Sequence, residues 1–244
     1  MMDYLYDGSF EGFLTAIYYH YHQDKAKGIY TLDLYQINLT APYKILVTDD
    51  AKAHKVYMAI QHKISYSDLR RIYYAYLSND LEKEMKILKY IELGFKTGPT
   101  TSAYHGNPVV FDLQSIEKKV SFEVHRLQGL IRFSLLEKNI LYAPISPDHD
   151  IVALLAAHFC DRFRYENFII HDKKRKKALI YSDGNSIISP FEFEKLPSFA
   201  SDEILIRSQW KTYFETIAIK ERTNKKCQRN FMPVRYWENL TEIS

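Results

Sequence analysis

The chain has 244 residues, of which 46% are hydrophobic and 26% charged, and its formal net charge is +3. This length allows a core large enough for one or two domains without disulfide bonds. The two cysteines, Cys160 and Cys227, form no paired motif, and the N-terminus lacks the pattern of a signal peptide. Because no apolar run reaches the roughly 18 residues that a membrane span needs, we expect a cytoplasmic protein without a membrane segment.

The N-terminal part of the chain alternates short apolar runs with helical patterns. Residues 4–6 predict a strand, and Ser9 predicts the N-cap of an amphipathic helix. Extended segments are predicted over residues 30–35 and 44–47, followed by a helix that residues 48–50 cap and that ends near Ile64. A second, longer helical pattern begins at Ser67 or Asp68 and continues to about Phe95.

The segment 96–108 concentrates Gly, Pro, Thr and Ser, a composition that predicts an exposed connection. We therefore divide the chain into a mostly helical N-terminal lobe (1–98), a linker or loop (99–108) and a C-terminal α+β lobe (109–244). The fold class predicted from this order of elements is mixed α+β.

In the C-terminal lobe we predict a helix within residues 116–127 and antiparallel strands over 130–136 and 139–144. A helix is expected from Pro147-Asp148, with an apolar stripe that makes Cys160 a core residue. A hairpin follows, with a cationic tip over residues 172–176. Asp202 then caps a final helix with these side chains facing inward: Ile206, Trp210, Tyr213, Phe214 and Ile217.

Several catalytic signatures are missing from the sequence. It contains no GxxxxGK[ST] or GxGxxG phosphate loop, no HExxH, no paired CxxC and no GxSxG. These absences argue against a P-loop NTPase, a zinc protease or zinc module, and an α/β-hydrolase. We predict no cofactor and no metal site.

One cluster of acid and base side chains surrounds the start of the helix predicted at Pro147. The candidates for catalysis are His149, Asp150, His158 and Asp161, which a general-base or metal role would require to converge. The competing interpretation is that the carboxylates at this position cap the helix and interact with its dipole.

Positive charge is concentrated near the C-terminus. Residues 1–99 contain 12 Lys and Arg against 12 Asp and Glu, whereas residues 207–237 contain eight against two. Lys and Arg neutralise phosphates, while Asn and Gln can read base edges and exposed rings can stack on unpaired bases. The nucleic-acid-binding candidates are His125, Arg126, Arg132, Arg162, Arg164, Lys174, Arg175, Arg222, Asn224, Lys225, Gln228 and Arg235.

Each of these candidates also has a structural interpretation. The cationic hairpin tip could be a solvated turn, and the arginines near residues 126 and 132 could be solvated charges at a strand edge. The aromatic residues Tyr236 and Trp237 could dock the C-terminal tail onto the core.

Several segments together resemble a bacterial family assigned to DNA repair or DNA metabolism. They are YLYDGSFEGFLTAIY (4–18), VHRLQGLIRF (124–133), YAPISPDHD (142–150), HFCDRF (158–163), FIIHDKKRKKALIY (168–181) and the ending from Trp210 to Glu242. The resemblance implies pairing in genomes with a radical S-adenosylmethionine protein, or fusion to a uracil-DNA-glycosylase-like module. We expect no glycosylase module in this chain, and the cysteine cluster of a radical enzyme is missing.

The leading hypothesis is a nucleic-acid-binding accessory factor in DNA repair or DNA metabolism. Its expected partners are DNA, including single-stranded DNA, a radical S-adenosylmethionine protein and a uracil-DNA-glycosylase-like protein, and we expect no membrane partner. Two alternatives stand beside it: a nucleotide- or DNA-processing hydrolase that uses the His/Asp cluster, and a protein-interaction adaptor.

Overall fold

The computed structural model describes residues 1–33, 35–36, 42–137, 139–193 and 198–243. The chain forms two compact units, Met1–Ser121 and Phe122–Ser244, and the division falls inside a long helix. Both units combine helices with a sheet, which confirms the predicted mixed α+β class. The proposed division into lobes 1–98 and 109–244, joined by a linker or loop over residues 99–108, stays a prediction.

In the described residues of the first unit, a small parallel sheet is combined with α-helices. Its strands are β1 (Met2–Tyr6), β2 (Ala26–Thr31) and β3 (Tyr43–Ile45), in the order β2-β1-β3. Its helices are α1 (Phe10–His22), α2 (Asp50–Lys63), α3 (Tyr66–Tyr76), α4 (Lys83–Thr97) and the first part of α5 (Pro108–Leu130). Strand β2 begins and ends earlier than the segment predicted over residues 30–35, of which Leu34 lies outside the described residues.

Side-chain caps begin the first two helices as the sequence predicts. The Ser9 hydroxyl accepts a hydrogen bond from the Gly12 N–H at 2.9 Å, and Asp49 accepts one from the Lys52 N–H at 3.0 Å. Each cap satisfies a backbone donor that has no partner within its helix.

The prediction of a single long helix from Ser67 or Asp68 to Phe95 is wrong, because a turn separates α3 from α4. The cap of α3 is Ser65, whose hydroxyl accepts from the Asp68 N–H at 3.0 Å. Asp68 itself is fully buried, and it pairs with Arg71 and accepts from the Tyr90 hydroxyl at 2.6 Å. A residue that resembled a helix cap is therefore the centre of a buried polar network.

Two further boundaries differ from the prediction. Residues 98–103, within the expected loop, form a 3-10 helix. Helix α5 runs to Leu130 and is longer than the helix predicted over residues 116–127, so the following strand is shortened to β4 (Ser134–Leu136).

The second unit is built on a five-stranded sheet in chain order. Its strands are β4, β5 (Ile140–Ile145), β6 (Asn167–Asp172), β7 (Lys177–Ser182) and β8 (Asn185–Pro190), and all pairs are antiparallel except β5 with β6. The predicted hairpin of β6 and β7 is confirmed, whereas β8 was not predicted. The helices of this unit are α6 (Val152–Arg162), α7 (Glu203–Ile217) and α8 (Lys225–Phe231), with 3-10 helices over Lys220–Arg222 and Val234–Asn239.

Among the helices within the described ranges, none combines the length with the apolar character that a transmembrane span requires.

Candidate nucleic-acid interface

The basic C-terminal segment begins at helix α7, whose first turn is anchored by a buried carboxylate. The buried Glu203 carboxylate accepts from the Leu135 N–H at 2.9 Å and pairs with Arg207 at the same distance. Arg207 also donates to the Ser134 hydroxyl at 2.6 Å. Asp202, the predicted cap, makes no capping hydrogen bond from its side chain. These contacts join the start of α7 to strand β4.

Beyond this turn, the prediction that α7 turns its apolar side inward is wrong. Glu203 is the only buried residue of the helix, and Phe214 is half-buried. The remaining side chains that were expected in the core are all exposed: Ile206, Trp210, Tyr213 and Ile217. Amphipathic spacing predicted the helix correctly, but it did not establish that a partner surface covers the apolar face.

The cations between residues 222 and 229 include the predicted contacts Arg222 and Lys225 together with two neighbours, Lys226 and Arg229. Within the described part of the chain they form no ion pair, and all are exposed: Arg222, Lys225, Lys226 and Arg229. We call these four residues the open basic cluster. Without protein carboxylates to neutralise them, their charges are available to an anionic partner.

The two predicted base readers in this segment differ in availability. The Asn224 side-chain oxygen accepts from the Cys227 N–H at 2.9 Å and caps α8. This oxygen is therefore already engaged, although the amide group stays exposed. Gln228 is half-buried on the same helix.

Arg126 and Arg132 have partners within the second unit. Arg126 donates to the Asn230 carbonyl at 3.3 Å. Arg132 forms a two-point pair with Glu242, with hydrogen bonds of 2.7 and 3.2 Å. Burial would raise the pKa of Glu242, but hydrogen bonds from Arg132 and from the Trp210 indole hold it below its ordinary value. Arg132 thus fixes the C-terminal residues to the end of α5.

The cationic hairpin tip is largely neutralised by carboxylates. Lys173 pairs with Glu238 at 3.0 Å, and Lys176 pairs with Glu192 at 3.2 Å. The remaining pairs are Arg175 with Asp172 and Lys177 with Asp150. Lys174 is exposed and, among the described residues, has no ion pair, so it is the tip residue best placed for a phosphate.

A buried network surrounds the loop between β5 and α6. The Glu123 carboxylate, which is 2% exposed, accepts from the backbone N–H groups of Asp148 and His149 at 2.8 Å each. It also accepts from the Tyr236 hydroxyl. We call Glu123 with these three donors the Glu123 network. It holds the loop, α5 and the C-terminal 3-10 helix together.

Two predicted cations lie at the border of this network. Arg235 pairs with Asp148 at 2.9 Å and donates to the Tyr236 hydroxyl at 3.1 Å. Arg175 donates to the carbonyls of Pro147 and Asp148 at 3.2 and 2.6 Å. Both arginines therefore support the loop, and Arg235 in addition remains exposed.

Helix α6 begins at Val152, so the prediction of a helix start at Pro147-Asp148 is wrong. His149 is buried, and burial together with the charges of Arg175 and Arg235 lowers its pKa, although Glu123 and Asp148 act in the opposite direction. Asp150 pairs with Lys177. The carboxylates of this loop are thus held by cations and do not cap the helix.

The other two catalytic candidates lie on α6. His158 is half-buried, and Asp161 forms an exposed pair with Arg164 at 2.7 Å. Asp150 precedes the helix and Asp161 is near its end, so roughly 16 Å of helix separates them. In the described ranges, no three His, Cys, Asp or Glu side chains come together as a metal site would require.

The remaining nucleic-acid candidates are on the surface. His125 is exposed on α5, and Arg162 is exposed at the end of α6 with its guanidinium 5.9 Å from the centre of the Phe163 ring.

Sequence patterns did not single out a cavity of about 410 Å³ in the first unit. It contains Glu84, a carboxylate in the first turn of α4 that is only 8% exposed. Acidic residues at this position in a helix ordinarily interact with the dipole at the surface. Its burial depends on the Tyr6 hydroxyl, 78 positions earlier, and no local pattern signals such a contact.

The fold and its surface define a mixed α+β protein with two sheets and an open basic segment beside its C-terminus. Residues 81–242 match the family described as the domain of unknown function DUF4130. Since this match covers more than half of the chain, the protein belongs to that family. A comparison with curated proteins gave no match.

Proposed function

We propose that this protein is a nucleic-acid-binding accessory factor in DNA repair or DNA metabolism, acting with a radical S-adenosylmethionine protein. The observation that carries the proposal is the open basic cluster: Arg222, Lys225, Lys226 and Arg229 are exposed and, among the described residues, without ion pairs. Cations already matched by carboxylates would have to give up those partners to bind phosphate, whereas these four do not.

Exposed rings in the same part of the chain support the proposal. Tyr213 and Phe231 are both exposed, the latter by 74% of its surface. Aromatic faces stack on bases with little regard to sequence, and cations beside them neutralise the backbone. This combination favours single-stranded nucleic acid. Arg162, Lys174 and His125 are further exposed positions for phosphate, while Arg126, Arg132, Arg164, Arg175 and Arg235 also make the structural contacts described above.

The test is binding to labelled single- and double-stranded DNA over a series of salt concentrations. A variant that combines Arg222→Ala, Lys225→Ala and Arg229→Ala should bind more weakly at every salt concentration. For duplex DNA the slope of log K against log salt is negative, and each lost phosphate contact reduces its magnitude by about 0.9. The magnitude of the slope should therefore fall by about 2 to 3 in this variant.

A matched control removes three lysines from the first unit, by Lys27→Ala, Lys55→Ala and Lys96→Ala. All three side chains are exposed, and the control changes net charge by the same amount as the test variant. Equal weakening in both variants would attribute binding to overall charge and would contradict the proposed surface.

The apolar face of α7 favours a protein-interaction adaptor as a second candidate function. Large exposed apolar patches mark interaction surfaces, and Ile204, Leu205 and Ile217 each expose more than half of their surface. If the folded protein binds neither form of DNA at low salt, the accessory-factor proposal fails and the adaptor becomes the better-supported function.

A further inference from the structure

The cavity in the first unit lies between strand β2, the start of α4 and the start of α5. Ile29 and Tyr30 come from β2, Met85 from α4 and Val109 from α5. Its volume of about 410 Å³ lies within the range of small-molecule sites, roughly 300 to 1,000 Å³. The lining residues named above give the cavity walls made of an aromatic ring and aliphatic side chains.

Glu84 supplies the buried polar group of this cavity. Its Oε1 accepts from the Tyr6 hydroxyl at 2.9 Å, and this contact fixes the orientation of the carboxyl group. Burial raises the pKa of Glu84, against the opposing effects of a hydrogen bond from its own backbone N–H, of Lys83 and of the Tyr6 hydrogen bond. Because the carboxylate lines the cavity, it can accept a further hydrogen bond from a donor on a ligand.

The charges at the rim argue against an anionic ligand. Besides Glu84, the cavity is lined by the carboxylates of Glu82 and Asp112. Of its two lysines, Lys86 pairs with Asp80 at 2.8 Å and with Glu82 at 3.5 Å, which leaves Lys89 as the lining cation without an ion pair among the described residues. A phosphate would meet more negative than positive charge at this site.

The chemistry that fits is a flat, uncharged ring with an N–H donor at one edge. The ring can lie against Tyr30 and the aliphatic walls, while the donor reaches the carboxylate. A protonated alkylamine fits less well, because it would place a full charge among apolar side chains.

We propose that this cavity binds a nucleobase through an edge that carries an amino group, with the Glu84 carboxylate accepting the hydrogen bond. The site belongs to the first unit and is independent of the open basic cluster. Binding of a nucleoside and binding of DNA can therefore succeed or fail separately.

The experiment compares two nucleosides, adenosine and purine riboside, which lacks only the amino group. Both are titrated into the full chain, and binding is followed by NMR. Adenosine should bind at least about tenfold more tightly, because purine riboside lacks the donor for the Glu84 carboxylate. Equal affinities, or no binding of adenosine at millimolar concentration, would overturn the proposal.

Substitutions of residues that line the cavity test whether adenosine binds there. Glu84→Ala should abolish the preference for adenosine, while the matched control Glu11→Ala, which removes an exposed carboxylate on α1, should keep it. Glu84→Ala removes a buried group, so it can weaken binding by disturbing the fold. Leu81→Trp is a second test that does not have this disadvantage. Leu81 lines the cavity but is 88% exposed, so a larger ring there should obstruct the site without disturbing the core. Unchanged adenosine binding in Leu81→Trp would contradict the location.

Discussion

Two buried glutamates in this protein are held in different ways. Glu123 accepts three hydrogen bonds, from two backbone N–H groups and from the Tyr236 hydroxyl. Glu84 accepts from the Tyr6 hydroxyl and from its own backbone N–H, and its carboxylate lines a cavity. Since each donor offsets part of the cost of removing a carboxylate from water, the Glu123 network is a structural unit, whereas Glu84 retains capacity for a further partner.

The hydroxyl of Tyr236 can be removed without changing the shape of its ring. Tyr236→Phe takes one donor from the buried Glu123 carboxylate and should lower the free energy of unfolding by about 1 to 3 kcal/mol. Urea denaturation measures this change. Tyr213→Phe is the matched control, because that ring is exposed on α7. Equal effects of both substitutions would contradict a specific role for the network.

At the scale of elements, periodic spacing predicted α1, α2, α6 and the hairpin of β6 and β7, because their apolar faces are the faces that the fold buries. The same reasoning failed between α3 and α4. Leu81 continues the apolar spacing of α3 but lies in the connecting turn and is 88% exposed. For α7 the spacing identified the helix but placed its apolar face in the core. Spacing shows which residues share a face, and only tertiary contacts decide whether that face is covered.

The candidate site was also predicted only in part from the sequence. Sequence located the basic segment, but it could not separate Arg222, which is without an ion pair among the described residues, from Arg132, which pairs with Glu242. Ion pairs between residues 110 positions apart leave no local pattern. The Glu84 cavity was missed for the same reason, since it depends on a contact with Tyr6.

The start of α3 provides a test at this scale, because sequence offered Ser67 or Asp68 as its cap and the structure has Ser65. Ser65→Ala removes the acceptor for the Asp68 N–H and should lower the free energy of unfolding by about 1 kcal/mol. Ser67→Ala should change it by less than about 0.5 kcal/mol. Chemical denaturation of both variants is the measurement. A larger loss from Ser67→Ala would identify a different cap.

The free energy of unfolding of the whole molecule should depend on pH through two kinds of group, which change it in opposite directions as pH rises. Burial lowers the pKa values of His20, His149 and His171, so the folded state resists their protonation. Their contribution to stability is present above the ordinary histidine pKa of about 6.5 and is lost as pH falls through the lowered values. Glu84 acts oppositely, because its raised pKa makes folding less favourable as pH rises through that value.

The variant Glu84→Gln separates these two contributions. It should be more stable than the wild type at neutral pH, and the difference should shrink as pH falls toward the ordinary glutamate pKa of about 4.3. In this background stability should decrease as pH falls below the ordinary histidine pKa of about 6.5, because the unfolded state takes up protons that the folded state resists. Urea denaturation at several pH values measures both effects. A difference that stays constant with pH would show that Glu84 does not titrate differently on folding.

The Glu123 network also bears on how the protein is made. Tyr236 reaches back over 113 positions to Glu123, and Glu242 reaches back over 110 to Arg132. Contacts that close such long stretches of chain form slowly, and synthesis proceeds from the N-terminus. A ribosome from which Tyr236 and Glu242 have not yet emerged therefore carries a second unit without these two contacts. During that time the carboxylate of Glu123 lacks its tyrosine donor, and the nascent chain depends on the remaining contacts of the unit to avoid aggregation.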